Sequence, residues 1–316
     1  MSEIAQTLIN CFEALSDISG QNIEEANETL NQIFSDPSSI QELIQLIYIN
    51  GIDEKYRRNS VVNIGRLFKK YFQGLSDEDQ ASLFVSLLNL YVFPNSRFVR
   101  HYIRDFVEMG MKPAFLSITS DFLTQLREDL NDITIEASLY VLSMVLTYQE
   151  EDLDSITPMS IPLIEAGLNS QSNDTRLAAI LHGLVVANLI NTEEGSQLLA
   201  RYTEEGIQLL VNYVTSNDMF SYGESLCDLV KGMRYFFEQE PENIDTNRIL
   251  MILLDLLSKN EIIIEFRKQI QILSYVLIQN SIDSIAENEE AIQTVLQVFF
   301  QNEGLNFDPE EHIYLI

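Results

Sequence analysis

Apolar residues recur along this chain at i, i+3, i+4 and i+7 almost from end to end, the spacing that lays one hydrophobic stripe along an α-helix. About thirteen to fifteen segments, each roughly 12–20 residues long, carry that stripe. No alternating run is convincing as a strand. The breaks are short and polar: SDPSS (35–39), NGIDE (50–54), QGLSDE (73–78), FPNS (93–96), GMKP (110–113), EEDLDSITP (150–158), NSQSND (169–174) and TSND (215–218) are typical. With only 12 glycines and 7 prolines in 316 residues, the chain is short of the turn formers a strand-rich fold needs.

Several breaks end in helix-start signals. Pro37, Pro113 and Pro158 are expected in first helical turns, where a missing N–H costs nothing. Ser76 followed by Asp79 resembles a capping box with the shorter acid. Asp132, Asp174 and Asn217 are expected as N-caps.

The helices also pair. Second members of pairs are expected to begin near Glu54, Ser96, Asp132, Asn173, Asn217 and Glu261, starts that lie 42, 36, 41, 44 and 44 residues apart. A two-helix unit of about 40–47 residues is the HEAT/armadillo period. One hairpin cannot bury its own apolar face, so neighbours must stack. The expected fold is therefore all-α, a right-handed α-α superhelix of HEAT/armadillo-type solenoid, with about seven repeats over residues 3–301 as one domain spanning 1–316. Residues 302–316 read as a cap or as the start of a further repeat.

Charge changes the picture. The chain carries 48 acidic and 19 basic residues, a formal net charge of -29. That excludes general binding to nucleic acid or an acidic membrane surface, which needs a positive footprint. Yet residues 53–112 hold ten basic and seven acidic residues. On a helical wheel Lys55, Arg58, Arg66 and Lys69 fall opposite Val61, Ile64, Leu67, Phe68 and Tyr71. In the next second-of-pair helix Arg97, Arg100, His101 and Arg104 share a face, while Phe98, Tyr102, Phe106 and Met109 point elsewhere. Equivalent helices of stacked repeats line the same surface, so the two stripes are expected to form one positive patch. The plainer alternative is that these arginines pair with loop acids of neighbouring repeats, an Asp/Arg ladder.

Residues 3–130 also resemble the importin-beta (karyopherin) family. NIEEANETLNQIF, then DPSSIQELIQLIYI, follow the order of the family's first helices. Tyr56-Arg57-Arg58-Asn59-Ser60-Val61-Val62 follows its Arg-containing second-of-pair helix. Ile64-Gly65-Arg66 stands where the family has Leu-Lys-Asn, and Phe72 and Phe115 stand near its tryptophans. The resemblance implies a nuclear transport receptor, or the N-terminal portion of one, moving between cytoplasm and nucleus. By the same resemblance the N-terminal repeats would bind the small GTPase Ran in its GTP form through second-of-pair helices. Protein cargo or nucleoporin Phe-Gly repeats would be further partners. Lys55, Arg57, Arg58, Arg66, Lys69, Arg97, Arg100 and Arg104 are the residues then suited to partner contact. The alternative is a HEAT/armadillo interaction scaffold that does not bind Ran.

Chemistry-bearing motifs add little. No phosphate-binding Gly-rich loop, HExxH, GxSxG or zinc spacing occurs, so the expectation is a non-enzyme without cofactor or metal. Cys11 and Cys227 read as buried thiols. His182, inside the apolar run LAAILHGLVVANLI (177–190), reads as a hydrogen-bonded core histidine, and that run is too short to span a bilayer. Glu150, Glu151, Asp152 and Asp154 read as a solvated acidic loop, since an EF-hand needs a central Gly and a terminal Glu. The N-terminus lacks the basic and apolar regions of a signal peptide, and an intracellular protein is expected.

Overall fold

The computed structural model describes residues 2–16, 22–148, 153–190, 193–215, 219–238, 245–258 and 264–280. The expected helix starts at Asn217 and Glu261, the acids Glu150, Glu151 and Asp152, the side chain of Asp154, and residues 302–316 lie outside them. Among the described residues the chain is all-α: fourteen α-helices and two single 3-10 turns, with no strand.

The chain divides into two compact units, Met1–Tyr148 and Gln149–Ile316. The first holds α1 (Glu3–Ser16), α2 (Ile23–Ile33), α3 (Ser39–Tyr48), α4 (Glu54–Tyr71), α5 (Asp77–Tyr91), α6 (Arg97–Gly110), α7 (Leu116–Leu126) and α8 (Asp132–Tyr148). Each odd-numbered helix packs on the even one that follows, and α4 lies beside α6. The second unit holds α9 (Leu153–Leu168), α10 (Asn173–Leu189), α11 (Glu193–Thr215), α12 (Met219–Phe237), α13 (Thr246–Ser258) and α14 (Ile264–Asn280). There α10 packs on α9, α11 and α12, and α14 packs on α12 and α13. The expected starts at Glu54, Ser96, Asp132 and Asn173 each fall within one residue of a second-of-pair helix.

Local chemistry explains the starts. The Asp53 side chain accepts from the Lys55 N–H at 2.9 Å, and Lys69 and Lys70 occupy the last turn of α4, where the helix dipole favours cations. Ser76 caps α5 as expected, accepting from the Asp79 N–H at 3.1 Å. Its hydroxyl donates to the Asp79 carboxylate at 2.6 Å.

Four expected start signals are corrected. Pro37 lies in the turn just before Ser38, the N-cap position of α3, and not in the helix's first turn. At α8 the cap is Asn131, not Asp132: the Asn131 Oδ1 accepts from the N–H groups of Ile133 and Thr134, while Asp132 is already the first helical residue. At α10 the cap is Ser172, whose hydroxyl accepts from the Thr175 N–H, and Asp174 lies in the first turn, where its charge suits the dipole. Pro158 does not open a helix; it sits inside α9 together with Pro162.

Each unit has its own core. In the first, Leu8, Phe12, Ile40, Leu43, Ile47, Val61, Ile64, Phe84, Leu87, Val99 and Ile103 are fully or almost fully buried. In the second, Ile164, Ile180, Tyr202, Leu210, Tyr213, Met233, Phe237, Leu253 and Phe266 are. The α9, α11 and α13 helices are joined by ion pairs. Arg201 grips Glu165 with two N–H donors at 2.6 and 3.0 Å, and Arg248 donates to Glu204. These Arg–acid pairs join first-of-pair helices of the second unit and involve none of the arginines of residues 53–112.

Cys11 and Cys227 are buried and form no disulfide. His182 is buried as expected, its Nε2 2.9 Å from the Ser160 hydroxyl. Burial pushes its pKa down to about 3. Among the described residues no helix is long and apolar enough to cross a membrane.

Candidate partner-binding site

The basic stretch of the sequence lands on α4 and α6, which cross closely. Gly65 makes the crossing possible: a Cβ there would lie 2.3 Å from the Phe106 ring. Gly110 does the same as the last residue of α6, where an added Cβ would meet the Phe68 and Phe84 rings at 3.2 and 3.3 Å.

The eight basic residues singled out in the sequence have different surroundings. Arg57 leans onto the end of α3: its Nε donates to the Ile47 carbonyl at 3.2 Å, and its side chain is only 11% exposed. It thereby satisfies one of the carbonyls a helix end leaves without an intrahelical donor. Arg100 is 8% exposed, and its Nη1 donates to the Phe93 carbonyl at 3.0 Å. Arg104 lies over the Tyr140 ring of α8 at 4.9 Å and near Asp105 at 3.8 Å. Arg97 is half-buried at the start of α6. Lys55, Arg58, Arg66 and Lys69 are exposed on α4.

The two stripes therefore do not merge into a single basic surface. An aromatic stripe lies between them. Arg58, 58% exposed, stands over the Phe98 ring at 5.0 Å, and Lys69 lies 5.8 Å from the centre of the Phe106 ring. Phe98 stacks on Tyr102 with centroids 5.7 Å apart, and Tyr102 lies 5.6 Å from Phe106. Phe98 and Tyr102 are half-buried, so part of each side chain reaches solvent. The wheel assigned these aromatics to the side away from the α6 arginines, which is right, but gave them no role. Their i, i+4 spacing next to a cation-bearing helix is the signal that could have found them.

Arg58 is also within 3.8 Å of Glu54, which itself accepts from Ser96 at the start of α6. Exposed ion pairs of that length contribute little. The Arg58 guanidinium is thus held in place by its ring contact and remains open to a better carboxylate partner.

These helix pairs have counterparts among solved structures. No protein-family profile matches the sequence, and no curated protein matches it. A crystal structure of Kap121p bound to RanGTP matches at a TM-score of 0.56 and 16% sequence identity, over 95% of this chain and 28% of that one. Kap121p bound to Nup53p matches at 0.53 and 16%, over 95% and 29%, and Kap121p by itself matches at 0.54 with the same identity and coverage.

The fold is karyopherin-like. At 16% identity the similarity speaks for the all-α, HEAT-type helical-repeat architecture. It covers nearly the whole chain, which spans less than a third of the length of the Kap121p chains it matches. In this karyopherin-like fold α4 and α6 are second-of-pair helices, and their shared face carries the exposed cations and the aromatic stripe.

Proposed function

We propose that this chain acts as a nuclear transport receptor or as the N-terminal portion of one, binding Ran in its GTP form through the face of α4 and α6. The observation that carries the reading is the exposed set Arg58, Arg66 and Lys69 on a second-of-pair helix, in a chain of net charge -29. The solved structures of Kap121p with RanGTP, with Nup53p and with the SUMO protease Ulp1p support it, since those are complexes of a protein with the same architecture. Protein cargo and nucleoporin Phe-Gly repeats are further partners under this reading, and passage between cytoplasm and nucleus follows from it. The task is one of binding, not catalysis. Each repeat contacts only its neighbours, so partners that favour different curvatures would exclude or recruit one another by shifting populations.

The deciding measurement is equilibrium binding of the purified chain to Ran, GTP-locked against GDP-loaded. A preference for the GTP form of about tenfold or more, equal to about 1.4 kcal/mol, supports the reading. Equal or absent binding removes it and leaves an interaction scaffold with the same fold and another acidic partner.

A further inference from the structure

The α4–α6 face has a shape as well as a charge. Its floor is apolar and aromatic: Val62 of α4 and Phe98 and Tyr102 of α6, all half-buried. Its rim is cationic. Arg58 stands over Phe98 at one end, and Lys69 reaches toward Phe106 at the other. Because Arg58 meets Phe98 and Gly65 meets Phe106, Tyr102 lies about midway. At 1.5 Å per residue, Arg66 is ~12 Å and Lys69 ~16 Å from Arg58 along the helix axis. Arg66 is exposed beside Lys69, so the far end carries two cations.

We infer that this face binds an extended acidic segment of a partner protein, with two carboxylates four residues apart and an apolar residue between them. The inference rests on the reading of α4 and α6 as the partner-binding face. An extended chain rises about 3.3 Å per residue, so positions i and i+4 are ~13 Å apart, within the span set by the cations. Residues i, i+2 and i+4 also share one side of an extended segment. The two carboxylates can therefore meet Arg58 and the Arg66/Lys69 pair while the central side chain rests on Tyr102. A carboxylate arriving at Arg58 finds a guanidinium already fixed on a ring, so less side-chain freedom is lost on binding. Glu54 is the group it must displace, at 3.8 Å from Arg58. The rest of the chain, with 41 acidic and nine basic residues outside 53–112, repels the same ligand and confines it to this face.

The test uses the full chain and fluorescent nonapeptides at low salt, read by anisotropy. One peptide carries Asp, Leu and Asp at positions i, i+2 and i+4 with Ser and Thr spacers. A shuffled peptide sets the two acids side by side, and a third is polyglutamate. The patterned peptide is expected to bind at least about fivefold tighter than either control. Arg58→Glu with Lys69→Glu is expected to weaken it about tenfold or more, and Tyr102→Ala about fivefold. Glu54→Gln, which keeps the acceptor for Ser96, is expected to tighten it about twofold. Circular dichroism confirms that each variant is folded.

Equal affinity for the shuffled peptide or polyglutamate would mean a charge-only surface and overturn the inference. So would indifference to the Arg58/Lys69 change, or absence of binding at millimolar peptide. Ran binding measured on the same samples separates the two proposals. A GTP preference without patterned-peptide binding sinks only this inference, and peptide binding without any Ran binding sinks only the transport reading.

Discussion

Arg57 and Arg100 carry the same charge as Arg66, yet their places differ. Arg57 and Arg100 hold backbone carbonyls at Ile47 and Phe93, whereas Arg66 is exposed on α4. Arg100→Ala is expected to destabilise the chain by about 1–3 kcal/mol, because it leaves a carbonyl without its donor in a region closed to water. Arg66→Glu is expected to change Tm by no more than about 1 °C, since exposed substitutions away from such features cost little. Urea titrations of both variants check this, and equal losses would contradict the assignment. His182 gives a pH signature. It is neutral in the fold, with its pKa lowered from 6.5 to about 3, so the unfolded chain binds the extra proton as pH falls below 6.5. Stability from this group is complete above about pH 6.5 and is lost as pH falls toward 3, at up to about 1.4 kcal/mol per pH unit. Denaturant unfolding at pH 7, 6 and 5 should show that slope, and His182→Gln should reduce it.

At the scale of the element, the close approach of α4 and α6 is a sensitive joint. Gly65→Ala drives a methyl into the Phe106 ring, whose nearest atom would be 2.3 Å away. A cost of about 1–3 kcal/mol is expected from overpacking, with Phe106→Leu in the same chain recovering part of it. Thermal melts of the single and double variants measure both. The ion pairs that tie α11 to α9 and α13 behave differently. Arg201 holds the Glu165 carboxyl below its usual range, so the pair contributes above about pH 4.5 and its contribution is lost as pH falls. Both partners are 40% exposed or more, so Arg201→Ala is expected to cost under about 1 kcal/mol, and less as salt rises. A loss above about 2 kcal/mol at 0.5 M salt would show that the pair is shielded from solvent. The pairing of helices and most of their starts are legible from the 36- to 44-residue spacing. The caps at Asn131 and Ser172 are less so, because Asn-Asp and Ser-Asn-Asp offer several good cap side chains in a row and backbone geometry picks one.

At the scale of the whole molecule, partner binding should be electrostatic but local. With cations concentrated on α4 and α6, affinity for an acidic partner is expected to fall as salt rises from 50 to 300 mM, while Tm changes little. Arg58→Glu with Arg66→Glu should abolish most of that salt dependence; an unchanged slope would place the contact elsewhere. The candidate site was only partly readable in advance. Charge clustering within 53–112 pointed to α4 and α6, because charge is a property of composition. It could not separate Arg100 from Arg66, because their difference is a difference in neighbours contributed by other helices.

The sequence by itself determined that this chain is all-α, that its helices come in pairs at the HEAT period, and that its cations gather on α4 and α6. Those follow from periodicity and composition, which act within one or two helical turns. Only the tertiary structure decided that Arg57 and Arg100 face inward to carbonyls, that Asn131 and Ser172 are the caps, and that Phe98 and Tyr102 line the space between the two basic stripes. The reason is physical: a side chain's exposure is set by what packs against it, and for α6 that is α5, α4 and the Tyr140 ring of α8.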